Sequence, residues 1–340
     1  MSEPSDDNLM GRFEQEGANR YRSTDAVAVV LLTAILLALF AGGSILSSGE
    51  QTSGVQGRLI TEVGRPLARV SNELELGKLR HEATGFLAPN ENLASSGGGF
   101  SGAAPSTSGS GIPLVTSEAF LAEAIGSRAP PRQRLRSMLV TGDSMVMPLD
   151  SDLARDTVGR GVKVIQDPHI GTGISNSQIV DWGKLAASQV RAYHPQAVIL
   201  FIGANEGWPM AGPGGREVQC CNAKWAAIYA QRVRIMTHTY LQGGHARVYW
   251  ITIPEPRESD RQTIARVVDA AIPVGVQPWA ANARVIDTVP IFTPHGYRDA
   301  MPIGGTGTIV REPDGIHLNA AGSQLLARYV LANLAHDYSY

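Results

Sequence analysis

Four short segments of this 340-residue chain carry side chains that together could transfer an acyl group. Gly142-Asp143-Ser144 offers a hydroxyl at the end of an apolar run. Gly171-Thr172-Gly173-Ile174-Ser175 and Gly203-Ala204-Asn205-Glu206-Gly207 offer a flexible backbone and a side-chain amide. Asp314-Gly315-Ile316-His317-Leu318-Asn319 offers an acid and an imidazole in one loop. Acyl transfer needs a nucleophile, a base beside it, an orienting acid and donors for the oxyanion. Ser144 can be the nucleophile, His317 its base, and Asp314 the group that fixes the imidazole tautomer. The N–H groups of Ser144 and Gly173 and the amide of Asn205 can hold the oxyanion. Each segment also has a plainer reading. Ser144 can be a helix N-cap, Asn205 a turn residue, and Asp314 and His317 parts of a surface loop. It is the ordered set of four that favours chemistry.

The elements that must position these groups follow from periodicity. Apolar runs at Met138–Thr141, Val162–Ile165, Ala197–Ile202, Ala246–Ile253 and Arg284–Val289 read as buried strands. Helical faces carry Ile179, Trp182, Ala186, Val190 and Tyr193; then Trp225, Tyr229, Val233, Met236 and Tyr240; then Leu326, Val330 and Leu334 within Ala320–Ala335. Strands alternating with helices imply a parallel sheet covered on both faces. In such sheets ligands bind beyond the carboxyl ends of the strands. Ser144 follows the first strand and Asn205 the third, so both are expected in one crevice. Gly142 is expected to give the turn before Ser144 its backbone freedom.

The blocks GDS, a glycine after the second strand, GxN and DxxH occur in this order across about residues 137–338. This pattern resembles the SGNH hydrolases, also called the GDSL family of esterases and lipases. The strings GTGIS, VDW, GANEG and DGIHLNAAG are similar to those of a membrane-anchored bacterial subgroup. The resemblance implies an α/β fold: a three-layer α/β/α, flavodoxin-like arrangement with a central parallel sheet. It implies a serine esterase that removes acyl groups, in the first instance acetyl, from envelope glycans through a Ser144 acyl-enzyme, without a cofactor or a metal. An O-acyltransferase with the same triad, and a noncatalytic glycan-binding subunit, are the alternatives. Expected partners are an acylated carbohydrate or other small ester, and a membrane acyltransferase. Met145 stands where the family's leucine is usual. Glu206 stands where its aspartate is usual, which bears on the loop around Asn205. The α/β-hydrolase elbow GxSxG is absent.

Other features bound the reading. The formal net charge of −2 and the lack of a basic stripe argue against nucleic acid. The two cysteines, Cys220 and Cys221, are adjacent and make no zinc motif; two free thiols are expected, a vicinal disulfide being the alternative. From Ala26 to Leu46 no charge interrupts the chain, long enough for a spanning helix. Signal-peptide cores are shorter, so an uncleaved anchor is expected rather than a cleaved leader. Arg20 and Arg22 precede the run and no Lys or Arg follows until Arg58. That asymmetry puts the N-terminus in the cytoplasm and the rest outside. The expected layout is a cytoplasmic tail at 1–23, an anchor at 24–46, a stalk and Gly/Ser-rich linker at 47–112, and the α/β domain at 113–340. Pro66 suits the first turn of a short helix within 55–87. His295 and Arg298 are candidates for the cleft wall. Trp182, Trp208 and Met210 could form an acyl pocket or pack the core.

Overall fold

The computed structural model describes residues 112–120, 130–212 and 215–340, together with Glu62, Pro66 and Phe100. The chain divides into two units, Met1–Ala88 and Pro89–Tyr340. In the first, Glu62 and Pro66 are helical and exposed; the expected anchor at 24–46 lies outside the described residues. Among the described residues no helix is long and apolar enough to cross a membrane.

In the second unit the five apolar runs form five parallel strands: β1 (Ser137–Gly142), β2 (Lys163–Pro168), β3 (Ala197–Phe201), β4 (Arg247–Ile251) and β5 (Ala283–Ile286). Their order across the sheet is β2-β1-β3-β4-β5. In register, Leu139 lies beside Val198, Val198 beside Val248, and Val248 beside Ala283. Strands buried on both faces are near-continuous apolar runs rather than alternating; all five residues of β3 and of β4 are buried, Arg247 at the start of β4 being paired with Asp337. At the edge, β2 begins with Lys163, ends with Pro168 and is only half-buried, the features that blunt a free strand. The fifth strand stops at Ile286, short of the expected Val289. Val289–Phe292 instead makes one helical turn with Pro290 at its start.

Between the strands lie α1 (Met147–Thr157), α2 (Trp182–Tyr193), α3 (Ala223–Leu241) and α4 (Ser259–Val276), and α5 (Ala320–Asp337) follows. Right-handed crossovers in this strand order place α1 on one face of the sheet and α2, α3 and α4 on the other. The contacts agree, since α1 packs on α5, α2 on α3, and α3 on α4. Capping explains three of the starts. Asp181, Asn222 and Asn319 each accept two backbone N–H bonds at the N-termini of α2, α3 and α5. The side chains of Trp225, Tyr229, Val233, Met236 and Tyr240 on α3 are fully buried, as their spacing required. The strand order reverses between β1 and β3, which opens a crevice at their carboxyl ends.

Candidate active site

Ser144 leaves β1 at that crevice, in a single 3-10 turn capped by Asp143. Gly142 is needed there for a reason other than the expected one. It is the last residue of β1 and does not adopt a positive φ. A Cβ on it would collide with the Phe201 carbonyl of neighbouring β3, so its role is close approach rather than turn freedom.

His317 arrives from the loop before α5. Its Nε2 lies 2.8 Å from Ser144 Oγ, and its Nδ1 lies 2.5 Å from Asp314 Oδ2. The other oxygen of Asp314 accepts the N–H groups of Ile316 and His317 at 2.8 and 3.0 Å. Partial burial acts to raise the Asp314 carboxyl, but these backbone bonds and the imidazole hold it below the usual carboxylate range. An ionised Asp314 assigns the proton to Nδ1 and leaves Nε2 to accept from the serine hydroxyl. Gly315, at φ 74°, turns the loop and packs against the Arg257 side chain. Arg257 Nη1 donates to the Pro313 carbonyl, and its backbone N–H to that of Gly315, both at 2.9 Å. Arg311, buried beneath, donates to the carbonyls of Ile316 and Glu255 at 2.8 and 2.7 Å. Both guanidinium groups lie over the Tyr297 ring. Burial pushes Arg311 down to about 10, which leaves it charged at neutral pH.

Across from the triad stand Gly173 and Asn205. Gly173 is buried, and a Cβ there would lie 3.0 Å from the Asn205 carbonyl oxygen and 3.2 Å from the Glu206 carboxylate. Asn205 Nδ2 donates to the Thr172 carbonyl at 3.2 Å. An amide has two N–H donors, so a second remains for a ligand. Two buried carboxylates tie these loops together. Asp143 Oδ1 accepts from Met145 N–H at 2.9 Å, and its Oδ2 from Gly203 and Ala204 N–H, both at 2.8 Å. It thereby joins the Ser144 turn to the Asn205 loop. Burial pushes Asp143 up to about 6 in spite of those three donors, and the nearby Glu206 adds to the rise. Glu206 accepts from Ile174 N–H at 2.7 Å, Ser175 N–H at 2.8 Å and the Tyr229 hydroxyl at 3.0 Å. Burial raises its carboxyl as well. The longer acid after Asn205 is thus what reaches the Gly173 loop. Sequence reasoning named Glu206 only as a departure, and gave Asp143, Arg257 and Arg311 no role.

Trp182 and Met210 are core residues and Trp208 is half-buried, its N–H donating to Ser175 Oγ at 3.3 Å. Arg298 donates to the carbonyls of Phe292 and Ile291, so it holds the short helix rather than a cleft wall. His295 is exposed beside it. The expectation of free thiols is not met: Cys220 and Cys221 are joined as a vicinal disulfide, with a cis peptide bond between them and Cα atoms 3.1 Å apart. Among the described residues no three His, Cys, Asp or Glu side chains gather as a metal site.

A five-stranded parallel sheet flanked by helices, with a serine, a histidine and an acid at its switch point, is an SGNH-like α/β fold. The chain belongs to the family described as "Protein of unknown function (DUF459)", which matches residues 137–333. No curated protein matches the sequence. Among solved structures it is similar to a family two carbohydrate esterase from Clostridium thermocellum in complex with cellohexaose. That likeness has 14% identity, covers 62% of this chain and 66% of the other, and gives a TM-score of 0.40. It is also similar to the periplasmic domain of a lipopolysaccharide acetyltransferase from Salmonella ser. Paratyphi A, at 14% identity, 60% and 85% coverage and a TM-score of 0.40. A third is the C-terminal catalytic domain of Streptococcus pneumoniae peptidoglycan O-acetyltransferase A, at 11% identity, 60% and 95% coverage and a TM-score of 0.35.

Proposed function

We propose that this chain is a serine esterase that removes acetyl or related acyl groups from envelope glycans, with Ser144, His317 and Asp314 as its catalytic residues. The observation that carries the reading is the relay from Ser144 Oγ to His317 Nε2 at 2.8 Å and from His317 Nδ1 to Asp314 at 2.5 Å. Ser144 Oγ attacks the ester carbonyl while His317 Nε2 takes its proton. Ser144 N–H, Gly173 N–H and the second N–H of Asn205 receive the oxyanion. Collapse of the tetrahedral adduct breaks the bond to the sugar oxygen, which leaves with the proton from His317. Water then attacks the acyl-serine, His317 again taking a proton; the bond to Ser144 Oγ breaks, His317 returns that proton to Oγ, and the carboxylic acid departs. Asp314 stays ionised throughout and steadies the imidazolium. The glycan substrate follows from the anchor proposed at 24–46, which would hold the domain outside the membrane among surface glycans. Protease digestion of residues beyond about 50 in intact cells stripped of any outer layer is the expected outcome; protection would overturn that orientation.

The decisive experiment combines capture and product analysis on the full chain in detergent. A fluorophosphonate should label Ser144, and Ser144→Ala should abolish labelling and lower aryl acetate turnover on the order of 10³-fold or more. An activated acetyl donor is then supplied with and without envelope oligosaccharides. Free acetate without acetylated sugar supports the esterase. Acetylated sugar that disappears in Ser144→Ala would replace it with an O-acyltransferase of the same triad.

A further inference from the structure

We infer that Glu206 and Arg232 are positioning residues for the acyl-binding side of the Ser144 centre, clamping the loop that carries Gly173 from both edges of its backbone. The inference rests on the esterase reading above. The backbones of the two residues after Gly173 are held by a pair of opposite charges. Their N–H groups, of Ile174 and Ser175, donate one to each oxygen of Glu206, at 2.7 and 2.8 Å. Their carbonyls face the Arg232 guanidinium, where Nη1 lies 2.6 Å from the Ile174 oxygen and 3.4 Å from that of Ser175. The same nitrogen reaches Ser177 Oγ at 3.0 Å. All the backbone donors and acceptors of residues 174–175 are therefore engaged with side chains that are themselves buried.

The clamp is mounted on rigid elements. Tyr229 and Arg232 are three residues apart on α3 and so share one face of it. Tyr229 donates to Glu206 at 3.0 Å, and Phe100 covers Arg232 with its ring 5.0 Å away. Glu206 is the neighbour of Asn205, so the same turn supplies one oxyanion donor and locates another. The Asn205 bond to the Thr172 carbonyl fixes the Thr172–Gly173 peptide, whose opposite edge carries the Gly173 N–H. An aspartate at position 206 would fall short of these N–H groups by one methylene. The Glu206 side chain and the arginine on α3 thus make one device, absent from the four blocks that mark the triad. Neither residue touches a reacting atom in the proposed mechanism; each acts through Gly173.

The test uses the full chain in detergent with 4-nitrophenyl acetate as substrate. Glu206→Gln keeps the shape but offers one acceptor where two N–H groups need two. Arg232→Lys keeps a charge, and Arg232→Met removes it. The expected result is a fall in kcat of about 10–100-fold for Glu206→Gln with KM little changed, since the loss falls on the transition state. Arg232→Lys should retain more activity than Arg232→Met. Hydrogen exchange followed by mass spectrometry should show loss of protection confined to peptides covering 172–176. Unchanged exchange there with normal kcat would overturn the clamp. So would loss of protection spread over the whole sheet, which would make the cluster an ordinary part of the core. Wild-type protein that neither turns over nor is captured by a fluorophosphonate at Ser144 would overturn the esterase reading instead. The exchange result separates the two failures, because it needs no activity.

Discussion

Asp143→Asn should remove a loss of stability that the wild type suffers as pH rises to neutral, and should lower activity. Asp143 is fully buried, and burial outweighs three N–H donors to raise its carboxyl from an ordinary 3.8 to about 6. That rise corresponds to roughly 3 kcal/mol between the protonated and ionised forms. A carboxyl whose folded value is raised contributes stability fully below pH 3.8, and that contribution is lost as pH rises through about 6. Asparagine has nearly the shape of the protonated acid and does not titrate. Near pH 4 the variant should be the less stable, because its NH2 group leaves buried N–H groups on one side of it without an acceptor. By pH 7.5 that gap should narrow by up to about 3 kcal/mol, because only the wild-type group ionises. Part of this narrowing should vanish in a Glu206→Gln background, because the two carboxyls interact. Activity should fall. The carboxylate accepts at Oδ1 from Met145 and at Oδ2 from Gly203 and Ala204. One amide oxygen cannot serve both sides, so the Ser144 turn and the Asn205 loop come apart. A misplacement of this kind costs up to about 10²-fold in rate. The measurements are urea unfolding by tryptophan fluorescence from pH 4 to 8, and aryl acetate turnover at pH 7.5. A stability gap that stays constant from pH 4 to 8 would refute the reasoning, since Asp143 would then not be raised on folding.

Gly173→Ala should cut kcat by about 10–100-fold, as the new methyl meets the Asn205 carbonyl at 3.0 Å and the Glu206 carboxylate at 3.2 Å; normal kinetics would remove Gly173 from the oxyanion side. Deleting residues 1–129 should destabilise the domain by about 1–3 kcal/mol relative to deleting 1–111. The segment 112–120 supplies the Pro113 and Leu114 carbonyls to buried Arg234 at 3.1 and 3.0 Å, and the Val115 N–H to Gln231 at 2.8 Å. Equal urea midpoints for the two truncations would show the segment to be dispensable. Asp314 is held low, so its bond to His317 should persist as pH falls through 3.8 and be lost only below it; loss of the Nδ1 proton resonance already at pH 5 would contradict this.

The sheet was legible because its central strands are buried on both faces, and such strands are written as unbroken apolar runs. The faces of α2, α3 and α5 were legible because each carries large side chains at helical spacing. The helices α1 and α4 left weaker marks. Asp150 and Asp152 of α1 are buried polar residues, the latter accepting from Ser323 on α5, and they interrupt its apolar stripe. Pro273 lies inside α4, where a proline reads as a stop. The triad was legible as residue types in order, since Asp314 and His317 share a loop and Ser144 ends a strand. The hold of Glu206 and Arg232 on residues 174–175 was not, because these partners lie 31 to 58 positions from that loop and reach it only when α3 packs behind it. The disulfide of Cys220 and Cys221 is a matter of oxidation that adjacency alone leaves open.

These long-range partners share a physical origin. A parallel sheet ends at its carboxyl edge with N–H and carbonyl groups that the ladder no longer pairs, and buried ones must find other partners. Apolar side chains cannot supply them, whereas a carboxylate offers two oxygens with several acceptor directions. Asp143 joins the loops after β1 and β3, Glu206 joins those after β3 and β2, and Asp314 closes its own loop. Burial raises the first two, so the charged forms that hold the loops best are forms that folding disfavours. Stability given up at named residues around a crevice is the mark of a site rather than of a core. In the core beneath it β3 is apolar and buried throughout, and the one charge of β4, Arg247, is paired with Asp337 at 2.9 Å. Asp143 and Glu206 thus hold together the carboxyl-edge loops from which Ser144 and Asn205 project.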